Sequence, residues 1–178
     1  AFLWAQMEKA DVIMKKRLSI WNRYHDAFRN EESQGRIRRP EVPAECSHNA
    51  HMYHLRFPDH VGRDLFISRM AKSGIGVIFH YVPLHDSPAG KKYGRAADEL
   101  CVTSHQARLV ARLPLWTGMT DDVVSSVIDR SLSELERISR TAEEPVLIKT
   151  KKGVFNPTDT SKILIEAARK CIASPKKI

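Results

Sequence analysis

The side chains best able to do chemistry in this chain are imidazoles and phenols, and they concentrate in one stretch. Gly74-Ile-Gly-Val-Ile-Phe-His-Tyr-Val-Pro-Leu-His-Asp-Ser-Pro-Ala-Gly90 opens apolar and then turns polar. His80, Tyr81 and His85 fall within six residues beside Phe79, while Pro83 and Pro88 stiffen the backbone and Gly90 ends it. Imidazole and phenol groups donate and accept hydrogen bonds. A rigid loop of them suits the wall of a binding pocket, because loops held by a scaffold are where binding groups collect. The plainer alternative is an ordinary strand exit whose histidines are polar surface.

Other chemical candidates are weaker. His48, His51 and His54 recur at intervals of three. On a strand, that spacing turns His51 away from His48 and His54. His80 and His85 stand five apart across a proline. Neither set matches H-E-x-x-H or a deaminase pattern, and no acidic ligand stands at matching spacing, so no metal is expected. Cys46, Cys101 and Cys171 are odd in number and far apart, with no C-x-x-C spacing, so neither a disulfide framework nor a structural zinc follows. No flanking sequence supports a Cys–His nucleophile at Cys46 or Cys101. G-x-S-x-G, G-x-x-x-x-G-K-[ST] and G-x-G-x-x-G are all missing. The lysines sit in polar or basic surroundings, which suits solvated amines rather than a Schiff-base lysine. Read alone, the chain offers no reactive centre, and no catalytic residue is assigned.

The elements that must position the imidazole loop can be read from periodicity. Over about 2–29, Leu3, Met7, Ala10, Met14, Leu18, Trp21 and Phe28 recur at helical spacing, predicting one long amphipathic helix that bridges two bodies. Turn residues and Gly35 end it. Arg36-Ile-Arg-Arg-Pro reads as a short edge strand. Residues 47–57 alternate as a strand carrying large side chains. A helix is predicted over about 63–72, stopped by Gly74. Ile75, Val77, Ile78 and Phe79 then predict a buried strand. Residues 91–100 read as loop with a weak helical turn, and Thr103-Ser104 as the cap of a helix reaching about Arg112. Leu113-Pro-Leu-Trp116 reads as a short edge strand, and 120–138 as an amphipathic helix. The order predicts an α/β chain folded as a two-layer α+β sandwich.

With 178 residues, the chain accommodates one domain plus an appendage. Residues 1–138 form the expected domain, 139–144 a linker, and 145–178 an appended segment with a short strand or hairpin over 145–155 and a helix carrying Ile163, Leu164, Ala167 and Cys171. The chain starts at Ala1 inside a helical pattern and stops at Lys176-Lys177-Ile178, so a piece of something longer is expected. Its net charge of +8 invites a nucleic-acid reading. The basic residues are scattered, however, and form no continuous basic helix face, which makes nucleic acid a poor partner. Without a signal peptide or a run of 18 apolar residues, no membrane span is expected, and a reducing cytoplasm is the default compartment.

Three motifs carry a family likeness. Asn49-Ala-His-Met-Tyr53, Phe79-His-Tyr-Val-Pro-Leu-His85 with Ser87-Pro-Ala-Gly90, and Arg112-Leu-Pro-Leu-Trp116 before Met119-Thr-Asp121 resemble the C-terminal part of DegT/DnrJ/StrS-type sugar aminotransferases. The likeness covers roughly 1–138, in the same order and at similar spacing. It implies the small domain of the aspartate aminotransferase fold, with the long first helix leading in from a large domain. The implied cofactor is pyridoxal 5′-phosphate. The implied reaction moves an amino group from glutamate to a nucleotide-linked 4-keto-6-deoxy sugar, in a homodimer with shared active sites. The cofactor-binding residues would lie in the large domain and cannot be assigned here. By resemblance the substrate-binding wall is Phe79, His80, Tyr81 and His85, with Asn49 and His51 as second choices, and its work is positioning. The segment Ser104-His-Gln-Ala-Arg departs from the family, which places an acid near the start of this helix.

The tail has its own likeness. Gly153-Val-Phe-Asn-Pro-Thr-Asp-Thr-Ser-Lys-Ile-Leu-Ile-Glu-Ala-Ala168 is similar to the segment before the glycine-rich loop of methyltransferases that use S-adenosylmethionine. A family-specific C-terminal extension is the alternative. For the whole chain, the rival reading from another class is a non-enzymatic basic module that binds nucleic acid or an acidic protein.

Overall fold

The computed structural model describes residues 2–143, 148–150 and 153–155. The chain divides into two compact units, Ala1–Ser139 and Arg140–Ile178. The first is a mixed α/β body: helices packed on one face of a three-stranded antiparallel sheet.

Helices α1 (Phe2–Met7), α2 (Ala10–Ala27) and α3 (Arg29–Ser33) replace the single helix expected over 2–29. The break falls at Glu8 and Lys9, where the Lys9 amide bonds to the Gln6 carbonyl, one residue short of the helical partner. Packing accounts for the division. Leu3, Trp4, Met7 and Val12 are exposed, and burial along α2 is complete only at Ile20, Trp21 and Tyr24. Most of a helix's stability comes from a packed apolar face rather than from propensity. Gly35 then ends α3 with φ +71°, its amide bonding to Glu32 while that of Arg36 bonds to Glu31. These two bonds make a Schellman motif, which asks for a residue tolerant of positive φ.

Strands β1 (Tyr53–Arg56), β2 (Ile78–Phe79) and β3 (Val110–Leu113) form the sheet in the order β1-β3-β2. The rows are Tyr53↔Leu113, His54↔Arg112↔Ile78, Leu55↔Ala111↔Phe79 and Arg56↔Val110. Of the edge strand expected after Gly35, one bridge is formed, between Arg38 and Arg56. Upstream of Tyr53 the expected strand over 47–57 is interrupted at Ala50, whose φ of +47° is incompatible with a pleat.

Helix α4 (His60–Lys72) starts three residues before its expected position, because the Asp59 carboxylate caps it by accepting from the Gly62 amide at 2.8 Å. Gly74, at φ +76°, closes it in a second Schellman motif. Helix α5 (Pro88–Tyr93) stands where at most a weak helical turn beginning at Lys91 is expected, with Ser87 as N-cap and Pro88 in its first turn. Helix α6 (Cys101–Ala107) stops well short of Arg112, and β3 begins three residues before the expected strand. Leu109, Ala111 and Leu113 are buried in alternation, a strand period that also fits i, i+4 spacing on a helix. Helix α7 (Asp121–Glu143) runs through 139–143, where a linker is expected.

The core lies on one face of the sheet. Tyr24 of α2 and Phe28 just after it, Phe66 and Met70 of α4, and Val124, Val127 and Leu135 of α7 close over Tyr53, Leu55, Ala111 and Leu113. Tyr53 is its aromatic centre, with ring contacts to Trp21, Tyr24, His25 and Phe28. Full burial of such side chains stabilises by about 1.5–3 kcal/mol each. Among the described residues of the second unit, β4 (Ile148–Thr150) pairs with β5 (Gly153–Phe155) as an antiparallel hairpin. The helix expected after Asn156 lies outside the described residues.

Candidate functional site

Since Tyr53 and Leu55 of β1 and Ala111 and Leu113 of β3 face the core, the row between them turns outward. That row places His54, Arg112 and Ile78 side by side on the outer face. Directly after β2, the chain lays Tyr81 against Arg112, with the guanidinium carbon 5.4 Å from the ring centroid. Such a contact is a cation–π pair. His80 meets the Tyr81 ring edge-on at 5.2 Å. A cavity of about 220 Å³ lies alongside, lined in part by His51, Ile78, Arg112 and Pro114.

Electrostatics link these groups. Burial, then the Arg112 charge and His51, hold the His80 imidazole below its ordinary value. Burial and His80 do the same for His54. Near neutral pH both rings are therefore uncharged, each offering one donor and one acceptor. The Nδ1 of His80 is buried with no partner among the described residues. Arg112 is half-buried, and no described carboxylate pairs with it. Neutral imidazoles, an aromatic face and an uncompensated guanidinium suit a ligand with hydroxyls, a stacking surface and negative charge.

The six residues read from the sequence fall into separate groups. His51, His80 and Tyr81 belong to the outer-face cluster. His85 does not share those contacts: its Nε2 lies 2.9 Å from the Ser104 hydroxyl, which donates to Asp86 Oδ2 at 2.7 Å. A hydroxyl has one proton, so Ser104 accepts from His85, whose Nε2 carries the proton of that bond. This Ser104 hydrogen bond, aided by the nearby Lys91 and Arg108 charges, lowers the Asp86 carboxyl below its usual value. His85 thus ties the 3₁₀ turn at Leu84–Asp86 to α6. Asn49 is exposed, and its carbonyl oxygen accepts from the His51 amide at 3.2 Å, shaping the turn around Ala50.

Phe79 is 54% exposed, Ile78 49%, and only Val77 of the expected buried strand is enclosed. Tyr81, Val82 and Leu84 extend this exposed apolar run. Contiguous exposed apolar surface marks a place where something else docks. Arg112 and His54 were missing from the sequence-derived set. The signal was the alternation around them, obscured for Arg112 by its expected place at a helix end.

No group of three His, Cys, Asp or Glu side chains among the described residues is placed to hold a metal. Every lysine whose side chain is described is exposed: Lys9, Lys15, Lys16, Lys72, Lys91 and Lys92. A desolvated amine is therefore not among them. No described helix is long and apolar enough to cross a membrane.

Comparison with known proteins bears on the family and the fold. Residues 1–131 match the model of the DegT/DnrJ/EryC1/StrS aminotransferase family. An uncharacterized protein of Methanocaldococcus jannaschii is 28% identical over 128 residues, covering 70% of this chain and 32% of that protein. Among solved structures, the aminotransferase TlmJ from Streptoalloteichus hindustanus superposes with a TM-score of 0.67 at 24% identity, over 76% of this chain and 35% of its own. DesV from S. venezuelae, in complex with a ketimine intermediate, gives 0.67 at 23% identity over the same shares. The chain therefore spans about a third of the length of the relatives it matches.

Proposed function

The chain belongs to the DegT/DnrJ/EryC1/StrS aminotransferase family, and from that premise we propose that it supplies the substrate-facing wall of a sugar aminotransferase. Pyridoxal 5′-phosphate is the cofactor, an electron sink for the bond changes at the amino-bearing carbon. The lysines whose side chains are described do not fit its covalent attachment, because each is exposed. We place that lysine in the two-thirds of the fold this chain does not span. What the chain itself contributes is orientation.

The observation that carries the proposal is the Arg112–Tyr81–His80 contact on the outer face, backed by His54 and His51. The Tyr81 ring, 74% exposed, would stack on a sugar or base. The neutral imidazoles would hydrogen-bond hydroxyls, and Arg112 would hold an anionic group. Fixing a substrate in this way lowers the entropic part of the barrier without any proton transfer by these residues.

The finer proposal is transfer from glutamate to a dTDP-linked 4-keto-6-deoxy sugar for surface polysaccharide, by a cytoplasmic homodimer. The order of the motifs favours dTDP-4-amino-4,6-dideoxygalactose transaminase among such enzymes. For 145–178 we retain, as a proposal, the opening of a methyltransferase domain that uses S-adenosylmethionine. A D-x-G-x-G loop soon after it in the reading frame tests that part. The non-enzymatic basic module is not favoured, because the family is one of enzymes.

The test uses the full-length protein in its pyridoxamine form. Adding a dTDP-4-keto-6-deoxy sugar should convert it to the pyridoxal form, followed by absorbance. Tyr81→Ala and Arg112→Gln should each raise KM for the sugar nucleotide at least tenfold. No spectral change with any keto-sugar nucleotide, or a wild-type KM in both variants, would refute the proposal.

A further inference from the structure

A cleft of about 940 Å³ is lined by residues 37–42, by Arg56 and Phe57 at the end of β1, and by His105 of α6, with Trp21 and His48 also on its wall. Its most unusual feature is a pair of like charges. Arg38 and Arg56 sit directly opposite one another, exchanging both backbone hydrogen bonds at 2.7 and 2.9 Å. Residues so paired project their side chains from the same face, and like charges directly opposite are destabilising.

Neither guanidinium is neutralised by a described carboxylate. Arg56 donates to the neutral Gln106 amide oxygen at 3.1 Å, and Arg38 is exposed. The neighbouring Arg39 shows what a compensated arginine looks like here: Glu32 accepts from its Nε at 2.7 Å and from its backbone amide at 2.8 Å. Glu32 is thereby occupied, which leaves the exposed Glu41 as the other acid in the cleft. The lining also includes the imidazole rings of His48 and His105.

We propose that this cleft binds a phosphate or diphosphate group between Arg38 and Arg56. The planar guanidinium fork matches phosphate oxygens in pairs. Two such forks on one face offer more charge and more donors than a single carboxylate can use. The volume exceeds what a bare phosphate needs, leaving room for an attached nucleoside or sugar.

The test titrates the 178-residue chain with inorganic pyrophosphate and, separately, with thymidine diphosphate, by calorimetry at low and moderate salt. Pyrophosphate should bind, more weakly as salt rises, and Arg38→Gln and Arg56→Gln should each weaken it at least tenfold. Lys15→Gln/Lys16→Gln, altering exposed charges on α2, should leave affinity within twofold. Because Arg38 is exposed, its variant should keep the wild-type circular dichroism and melting temperature, so loss of binding there is not loss of fold. Thymidine diphosphate binding at least tenfold tighter than pyrophosphate would identify a nucleotide as the source of the phosphates, and equal affinity would identify the phosphates alone; both support the site. No binding of either at millimolar concentration, unchanged affinity in the arginine variants, or an equal loss in the lysine variant would overturn it.

Discussion

Replacing Gly90 by alanine sets two effects against each other, and the structure decides between them. Gly90 lies within α5, where alanine should favour the helix by up to about 1 kcal/mol. A Cβ at Gly90, however, would stand 1.6 Å from the Leu84 carbonyl oxygen and 2.6 Å from its carbon. Real Cβ contacts essentially never fall below 3.0 Å, so the backbone must move by about 1.4 Å, the difference between those distances. That carbonyl accepts from the Ser87 amide at 3.2 Å and from the Ser87 hydroxyl at 2.8 Å. The same hydroxyl caps α5 by accepting from the Gly90 amide at 2.9 Å. Losing two exposed hydrogen bonds costs about 1–3 kcal/mol, and losing the cap about 1 kcal/mol more. Against the helix gain, a net local loss of about 1–3 kcal/mol remains. Amide exchange over residues 84–94 should accelerate roughly five- to a hundredfold, while exchange in α2 and α7 stays unchanged. Equal or slower exchange in Gly90→Ala would show that the Leu84–Ser87–Gly90 turn is not what fixes this loop.

Two more expectations concern burial. Tyr24 donates to the Pro114 carbonyl at 2.8 Å, whereas the buried Tyr53 hydroxyl has no described partner. Tyr24→Phe should therefore lower stability by about 1 kcal/mol, and Tyr53→Phe should leave it unchanged or raise it by about 1 kcal/mol; denaturant melts showing a loss for both would contradict this. His25, His54 and His80 are all held below the ordinary histidine value, chiefly by burial. As pH falls through about 6.5, the unfolded chain takes up protons that the folded chain refuses, so stability should fall on acidification from pH 7.5 to 5.5. His54→Gln should flatten that slope, and a melting temperature that rises on acidification would refute the assignment.

The layer order of the fold was legible because α7 keeps an amphipathic period over several turns, while α4 was bounded by the apolar Leu65, Phe66 and Met70 and by Gly74 rather than by a continuous stripe. Boundaries were legible only where local chemistry is unambiguous, as at the glycines that end α3 and α4. Helix α5 had its signals in Ser87 and Pro88, yet a six-residue helix has no stripe for periodicity to find. The end of α6 was obscured because Leu109 and Leu113 satisfy helix and strand spacing alike, and hydrogen bonding to β1 and β2 settled it. The break at Glu8 and Lys9 could not be read from side-chain types, since it follows from where packing begins. The same limit applied to the candidate site. His80 and Tyr81 announced themselves by type, but Arg112 joins them only because β3 runs between β1 and β2.

The central claim is that the outer-face cluster around Arg112, His80 and Tyr81 faces a sugar nucleotide. Amide exchange of the full-length protein with and without a dTDP-4-keto-6-deoxy sugar tests it most directly. Slowed exchange confined largely to residues 78–86 and 110–113 is the predicted result. Protection elsewhere with none in these two segments would contradict the account.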